Sequence, residues 1–178
     1  LYQYIKQKET ATILYQAFGK AAKSRIISPQ LLKEYKGRWY LLSFDHQQKD
    51  SRLYALDRIK DIKPSLASYT PLEKEDAERY FDHVVGVTVW KDRKIEKVTF
   101  EVYGIMINYF KTKPIHTSQI LLSEDSDKAT FEISVIVNHE LVSELISHHS
   151  NLHVLTPVHL RETVIEIISR LRDKYGQD

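Results

Sequence analysis

Aromatic rings and arginine forks interleave through residues 37–59, GRWYLLSFDHQQKDSRLYALDRI. Trp39-Tyr40 lies in an apolar run. Arg52 and Tyr54 follow in a second short run, which closes on Asp57-Arg58-Ile59. Aromatic faces stack on planar groups, and guanidinium forks match phosphate and carboxylate oxygens. The chemistry on offer is capture of a planar, anionic ligand such as a nucleotide. Arg25 and Arg38, with Tyr15, extend the same alternation upstream. Arg52 and Tyr54 are two residues apart, so on a strand both look into one groove. Small barrels hold single-stranded nucleic acid in this way, with bases on rings and phosphates on arginines. Two roles stay open for Trp39, a stacking surface or a core side chain. Asp57-Arg58 likewise reads either as a ligand contact or as an ion pair closing the strand.

Other chemistries find no pattern. His139-Glu140 resembles the start of the zinc-protease motif H-E-x-x-H, but position 143 is Ser. Its second ligand is therefore missing. His148 and His149 are adjacent and point to different faces of a helix. With no cysteine there is neither a thiolate metal site nor a cysteine nucleophile. The five glycines form no phosphate-cradling loop. No G-x-S-x-G elbow is present, and Asp125 and Asp127 sit in a predicted turn. We expect no catalytic residues, no metal and no cofactor, and a protein that is not an enzyme.

The chain has 178 residues, 42% hydrophobic and 28% charged, as a soluble globular protein has. Its net charge of +2 hides a division. Residues 1–65 carry 13 Lys+Arg against 6 Asp+Glu, whereas residues 66–178 carry 13 against 18. Two modules with different partners are implied. No run approaches the roughly 20 apolar residues that span a bilayer, and no leader pattern opens the chain. The expected setting is cytoplasmic, with no membrane partner. The chain does not begin with Met and reads as a fragment of a longer protein.

Positioning these residues falls to short elements. A helix end at residues 1–7 precedes strands over about 10–18, 24–35, 38–45, 51–56 and 59–62, with Pro29 at a bend or sheet edge. In the third strand Trp39, Leu41 and Ser43 face one side, and Tyr40, Leu42 and Phe44 the other. Apolar residues on both faces suit a small β-barrel. Residues 64–71 read as a linker and 72–80 as a short helix. Residues 97–102, 119–123, 130–137 and 152–155 read as strands and 103–110 as a helix. A turn falls at 124–127. Asn138 caps a helix to His149, and Thr156-Pro157 opens a helix to about Tyr175. The stripe of that last helix is Leu160, Val164, Ile167, Ile168 and Leu171. The order β-α-β-β-α-β is ferredoxin-like. The expected fold class is mixed β and α+β. Its domains are a barrel at 1–66, a linker with a short helix at 67–94, and an α/β sandwich at 95–178.

Trp39-Tyr40-Leu41, followed by Arg52, Tyr54, Leu56, Asp57, Arg58 and Ile59, resembles the WYL domain of bacterial transcriptional regulators. Tyr15, Arg25 and Pro29 match the approach to that motif. The second half is similar to the C-terminal extension of the same regulators. It matches in Pro114–Gln119, Asn138–Leu141, Val154–Pro157 and Leu160-Arg161. The resemblance implies an Sm-like five-stranded barrel followed by a ferredoxin-like extension. It implies a sensor for a nucleic-acid or nucleotide-type effector, in a regulator that is commonly a homodimer. Promoter DNA would be bound by an N-terminal winged helix-turn-helix that this chain lacks. The ligand groove would take Tyr15, Arg25, Trp39, Tyr40, Arg52, Tyr54 and Arg58. His116, Ser118 and Gln119 match an extension motif to which no role is assigned. The alternative is a purely structural dimerisation or interaction module with no small ligand, its Trp39 in the core and its arginines paired with acids.

Overall fold

The computed structural model describes residues 1–72 and 77–176. The chain divides into two compact units, Leu1–Tyr80 and Phe81–Asp178. In the first, helix α1 (Tyr2–Gln7) precedes strands β1 (Ala11–Tyr15), β2 (Lys23–Tyr35), β3 (Arg38–Asp45), β4 (Asp50–Ala55) and β5 (Ile59–Pro64). All ladders are antiparallel, in the order β4-β3-β2-β1-β5. A 3-10 turn at Leu56–Arg58 links β4 to β5.

The closed barrel read from the sequence is not completed by hydrogen bonds. Strands β4 and β5 are the two ends of the sheet order, and no ladder joins them among the described residues. The sheet is nevertheless strongly curled, as the register shows. Tyr15 lies opposite Lys23, whereas Tyr54 lies opposite Leu41, which pairs with Leu32. On a straight strand Lys23 and Leu32 would be about 30 Å apart. The two tyrosine rings in fact meet edge to face, with centroids 4.9 Å apart. Such a contact requires β2 to bend back. A register shift between Pro29 and Leu31 lies within β2. Proline donates no ladder hydrogen bond, and bulges of this kind sharpen bend and twist. The inner face carries the core of Ala11, Ile13, Ile27, Leu41 and Tyr54. Leu1, Tyr4 and Ile5 of the α1 segment pack against it.

Two connecting segments differ from expectation. Residues 65–70 are tied to the sheet rather than forming a free linker. Thr10 Oγ1 donates to the Ser65 and Ala67 carbonyls, and Tyr69 Oη to the Pro29 carbonyl. The helix expected at 72–80 lies partly outside the described residues; its described part is a 3-10 turn, Ala77–Phe81.

In the second unit the elements are β6 (Ile95–Tyr103), α2 (Met106–Thr112), β7 (Ile120–Glu124), β8 (Lys128–Ile136), α3 (His139–Ser147), β9 (Leu152–Thr156) and α4 (Val158–Tyr175). Their sheet runs β7-β8-β6-β9 and gives the β-α-β-β-α-β arrangement read from the sequence. Alternation puts Val98, Phe100 and Val102 of β6, with Phe131, Ile133 and Val135 of β8, on one buried face. Phe110, Leu141, Leu145 and Leu160 cover it from the helices. The Asn138 side chain accepts the Leu141 N–H at 2.8 Å, as an N-cap should.

Thr156 does not cap α4. It ends β9, where its hydroxyl meets that of Thr99, and Pro157 takes the cap position. The stripe of α4 is also not one buried face. Leu160 is buried and Val164 and Ile167 half-buried, but Ile168 and Leu171 are exposed. No described helix is long and apolar enough to cross a membrane.

Candidate ligand-binding face of the first unit

Strand alternation on β1 to β4 puts Tyr15, Arg25, Asp45, Arg52 and Tyr54 on the inner face of the sheet. Tyr54 lies opposite Leu41 and Arg52 opposite Ser43, while Arg25 lies opposite Ile13 and Asp45 opposite Ile27. The curl closes these positions into one cluster around Asp45. This carboxylate is only 1% exposed. Its Oδ2 accepts the Tyr54 hydroxyl at 2.6 Å and lies 3.8 Å from Arg25 Nε. Its Oδ1 accepts the backbone N–H of Gln47 at 2.8 Å and of Gln48 at 3.1 Å. A buried carboxylate persists only when paired and hydrogen-bonded, and this one is both. Burial, and then the Asp45 hydrogen bond, drives the Tyr54 phenol far above its ordinary range, so it stays a donor at any physiological pH. Arg52 is exposed, and its Nη2 donates to Gln48 Oε1 at 3.4 Å.

The remaining candidates are placed apart. Arg58 flanks the cluster, for its carbonyl accepts the N–H of Gln16, which follows Tyr15. Its guanidinium lies 3.9 Å over the Phe18 ring. Its Nε is buried with no hydrogen-bond partner among the described residues. Trp39 is on the inner face but one step beyond Leu41 and 51% exposed, so it is no core side chain. Tyr40 is half-buried on the opposite face, between Lys33 and Ala55. The structure thus joins Tyr15, Arg25, Arg52 and Tyr54, sets Arg58 beside them, and leaves Trp39 at the margin and Tyr40 behind the sheet. Asp57 pairs with Arg38 at 3.5 Å, not with Arg58.

Two residues of this face escape a reading of types and spacing. Asp45 reads as the polar end of a strand, and only the register reveals it as the hub. Phe18 reads as the end of the first strand. It lies instead in the loop before β2, 71% exposed under the Arg58 guanidinium.

The extension motifs of the second unit do structural work. His116 is buried, and its Nδ1 accepts the Ser118 N–H at 3.1 Å. Ser118 Oγ in turn accepts the Ser134 N–H at 2.8 Å, which ties the loop to β8. Gln119 donates to the Phe110 carbonyl and accepts the Ile115 N–H. Asn138 Nδ2 donates to the carbonyls of Val85 and Thr88, and Glu140 Oε1 accepts the Thr88 hydroxyl. Both motifs pin loops.

A curled antiparallel sheet with an aromatic and arginine face, joined to a β-α-β-β-α-β unit, defines a two-module α+β protein. Residues 1–64 match the WYL domain and residues 87–172 the WCX domain. The chain therefore carries a WYL domain followed by a WCX domain. Solved structures similar to it include the proteasome accessory factor B/C (PafBC) of Arthrobacter aurescens. It is 20% identical with a TM-score of 0.41, over 96% of this chain and 26% of that one. A CRISPR Cas-related protein is 14% identical with a TM-score of 0.58, over 98% of this chain and 51% of that one. The second likeness speaks to the fold. This chain spans about half or less of both. No curated protein matches the sequence.

Proposed function

We propose that this chain is the effector-sensing region of a transcriptional regulator, and that the inner face of its first unit binds a nucleic-acid or nucleotide-type ligand. The observation that carries this reading is the convergence of Tyr15, Tyr54, Arg25 and Arg52 on one face, with Arg58 and Phe18 beside it. Rings supply stacking worth about 1–3 kcal/mol per base, and exposed guanidinium groups supply phosphate contacts. Against a purely structural module stand the exposure of Trp39 and the exposure of Arg52, which has no ion-pair partner among the described residues.

The finer architecture follows from the same reading. Helix α1 followed by five curled antiparallel strands supports an Sm-like assignment for residues 1–66. Residues 67–94 connect it to an extension at 95–178. The regulator acts as a cytoplasmic homodimer, and promoter DNA is bound by a preceding domain. No step of catalysis is assigned to the chain.

The test is a fluorescence-anisotropy titration of the 178-residue chain with a labelled 12-nucleotide single-stranded DNA, alongside linear and cyclic dinucleotides. Binding should weaken with rising salt, by about 0.7 in log–log slope per phosphate contact. Arg52→Ala should weaken it at least tenfold. Equal binding by Arg52→Ala and the parent would remove Arg52, and with it this face, from the reading.

A further inference from the structure

We propose that Asp45 is the positioning residue of this face and sets its selectivity, by holding Arg25 in an internal ion pair that an incoming phosphate must share. The inference rests on the ligand-binding reading above. It starts from the unequal partners of one carboxylate. Three hydrogen bonds to Asp45, from Tyr54 Oη at 2.6 Å and from the N–H groups of Gln47 at 2.8 Å and Gln48 at 3.1 Å, are short. The fourth partner, Arg25 Nε, is 3.8 Å away, beyond hydrogen-bond length. Asp45 therefore stays satisfied through Tyr54 and the turn when Arg25 reorients. The Arg25 side chain is 24% exposed against 1% for Asp45, so the guanidinium reaches the surface and the carboxylate does not.

One buried group thereby aligns three elements of the face. It fixes Tyr54 against Tyr15 and orients Arg25. It also folds the turn that presents Gln48 to Arg52. Its charge lowers the positive potential that Arg25 and Arg52 would otherwise present. A ligand bearing a single weak charge gains little by sharing Arg25. A phosphate chain engages Arg25 and Arg52 together and does so profitably. Asp45 thus favours ligands with several spaced phosphates over small anions.

Asp45→Asn tests this, since the amide retains an acceptor for the turn N–H groups and can still bond Tyr54. The probes are the 12-nucleotide single-stranded DNA and inorganic phosphate, measured across a salt series. The variant should bind the oligonucleotide about fivefold tighter at low salt. Its log–log salt slope should steepen by about 0.7, one further phosphate contact. The preference for oligonucleotide over inorganic phosphate should narrow, and in an Arg25→Gln background all three changes should vanish. Parent-like affinity and slope in Asp45→Asn would overturn the proposal, as would a gain that persists without Arg25. If Asp45→Asn is silent while Arg52→Ala loses binding, the Asp45 proposal fails and the ligand-binding reading stands. If the parent binds neither probe, both fall. Should Asp45→Asn not fold, the Arg25 Nε–H resonance of the parent can be followed by NMR during oligonucleotide titration. A shift at saturation is expected, and an unmoved resonance would overturn the proposal.

Discussion

Trp39 leaves half of its side chain in solvent although it sits in the most apolar run of the first unit. Core tryptophans lost to alanine cost about 3–5 kcal/mol. At this exposure Trp39→Ala should cost less than about 1 kcal/mol, as surface substitutions do; urea denaturation would read the difference. Tyr54 makes the opposite case, because its hydroxyl is bound to a buried carboxylate. Tyr54→Phe keeps the ring against Tyr15 but leaves Asp45 short of a donor, so a loss of about 1–3 kcal/mol is expected in the same assay. His116 supplies a pH dependence. Burial pushes its imidazole below the ordinary range, against a hydrogen bond to the Asp82 backbone that pulls the other way, with His83 nearby. Its folded-state pKa is therefore the lower one, and the unfolded chain binds the proton first. This contribution to stability is fully present above the unfolded value of about 6.5 and is lost as pH falls below it. Urea midpoints should decline from pH 7.5 to pH 5 in the parent, and decline less in His116→Gln.

At the scale of elements, periodicity and punctuation made most of the chain legible. The span Arg38–Asp45 is a strand as read, because a short apolar run rich in aromatics and bounded by turn residues is too short for a helix. Asn138 caps α3 as its position before an apolar stripe demands. Asn138→Ala should cost about 1–2 kcal/mol from the cap alone. The loss should exceed that range, since the Val85 and Thr88 carbonyls also lose their donor; thermal melts would measure it. Gly86 is tied to the same loop. Its φ is +92°, and an added Cβ would stand 2.8 Å from the Glu140 Cβ. Gly86→Ala should therefore destabilise by about 1–3 kcal/mol. The element-scale errors share a cause. Thr156 and residues 65–70 look like cap and linker by composition, but hydrogen bonds to Thr99, Thr10 and Pro29 claim them. Local propensity does not register a partner that is distant in sequence.

As a whole, the molecule has two cores of unequal size. The first is Ala11, Ile13, Ile27, Leu41 and Tyr54 with partly buried neighbours; the second is larger and fills the space between the buried face of the β7-β8-β6-β9 sheet and its helices, from Val85 to Leu160. Burial of apolar area scales stability, so the first unit should unfold at the lower temperature. Trp39 and Trp90 lie one in each unit. Single-tryptophan variants, Trp90→Phe and Trp39→Phe, should report separate fluorescence transitions, with the Trp39 signal changing first. One shared transition would show that the units unfold together.

The sequence by itself determined the strands, the capped helix, the β-α-β-β-α-β order and the pool of aromatic and arginine residues. These depend on side chains within a few positions of one another, where period and turn chemistry act directly. Which members of that pool meet was decided only by tertiary structure. Tyr15 and Tyr54 touch because β2 bends, and the bend is a property of ladders between distant strands. Strand pairing sets Arg25 diagonally beside Asp45, which lies opposite Ile27, whereas Tyr40 is on the far face by the alternation already legible in the sequence. Asp45, the least conspicuous residue of the face, became its centre because strand pairing adds Tyr54 and Arg25 to the local turn N–H groups of Gln47 and Gln48.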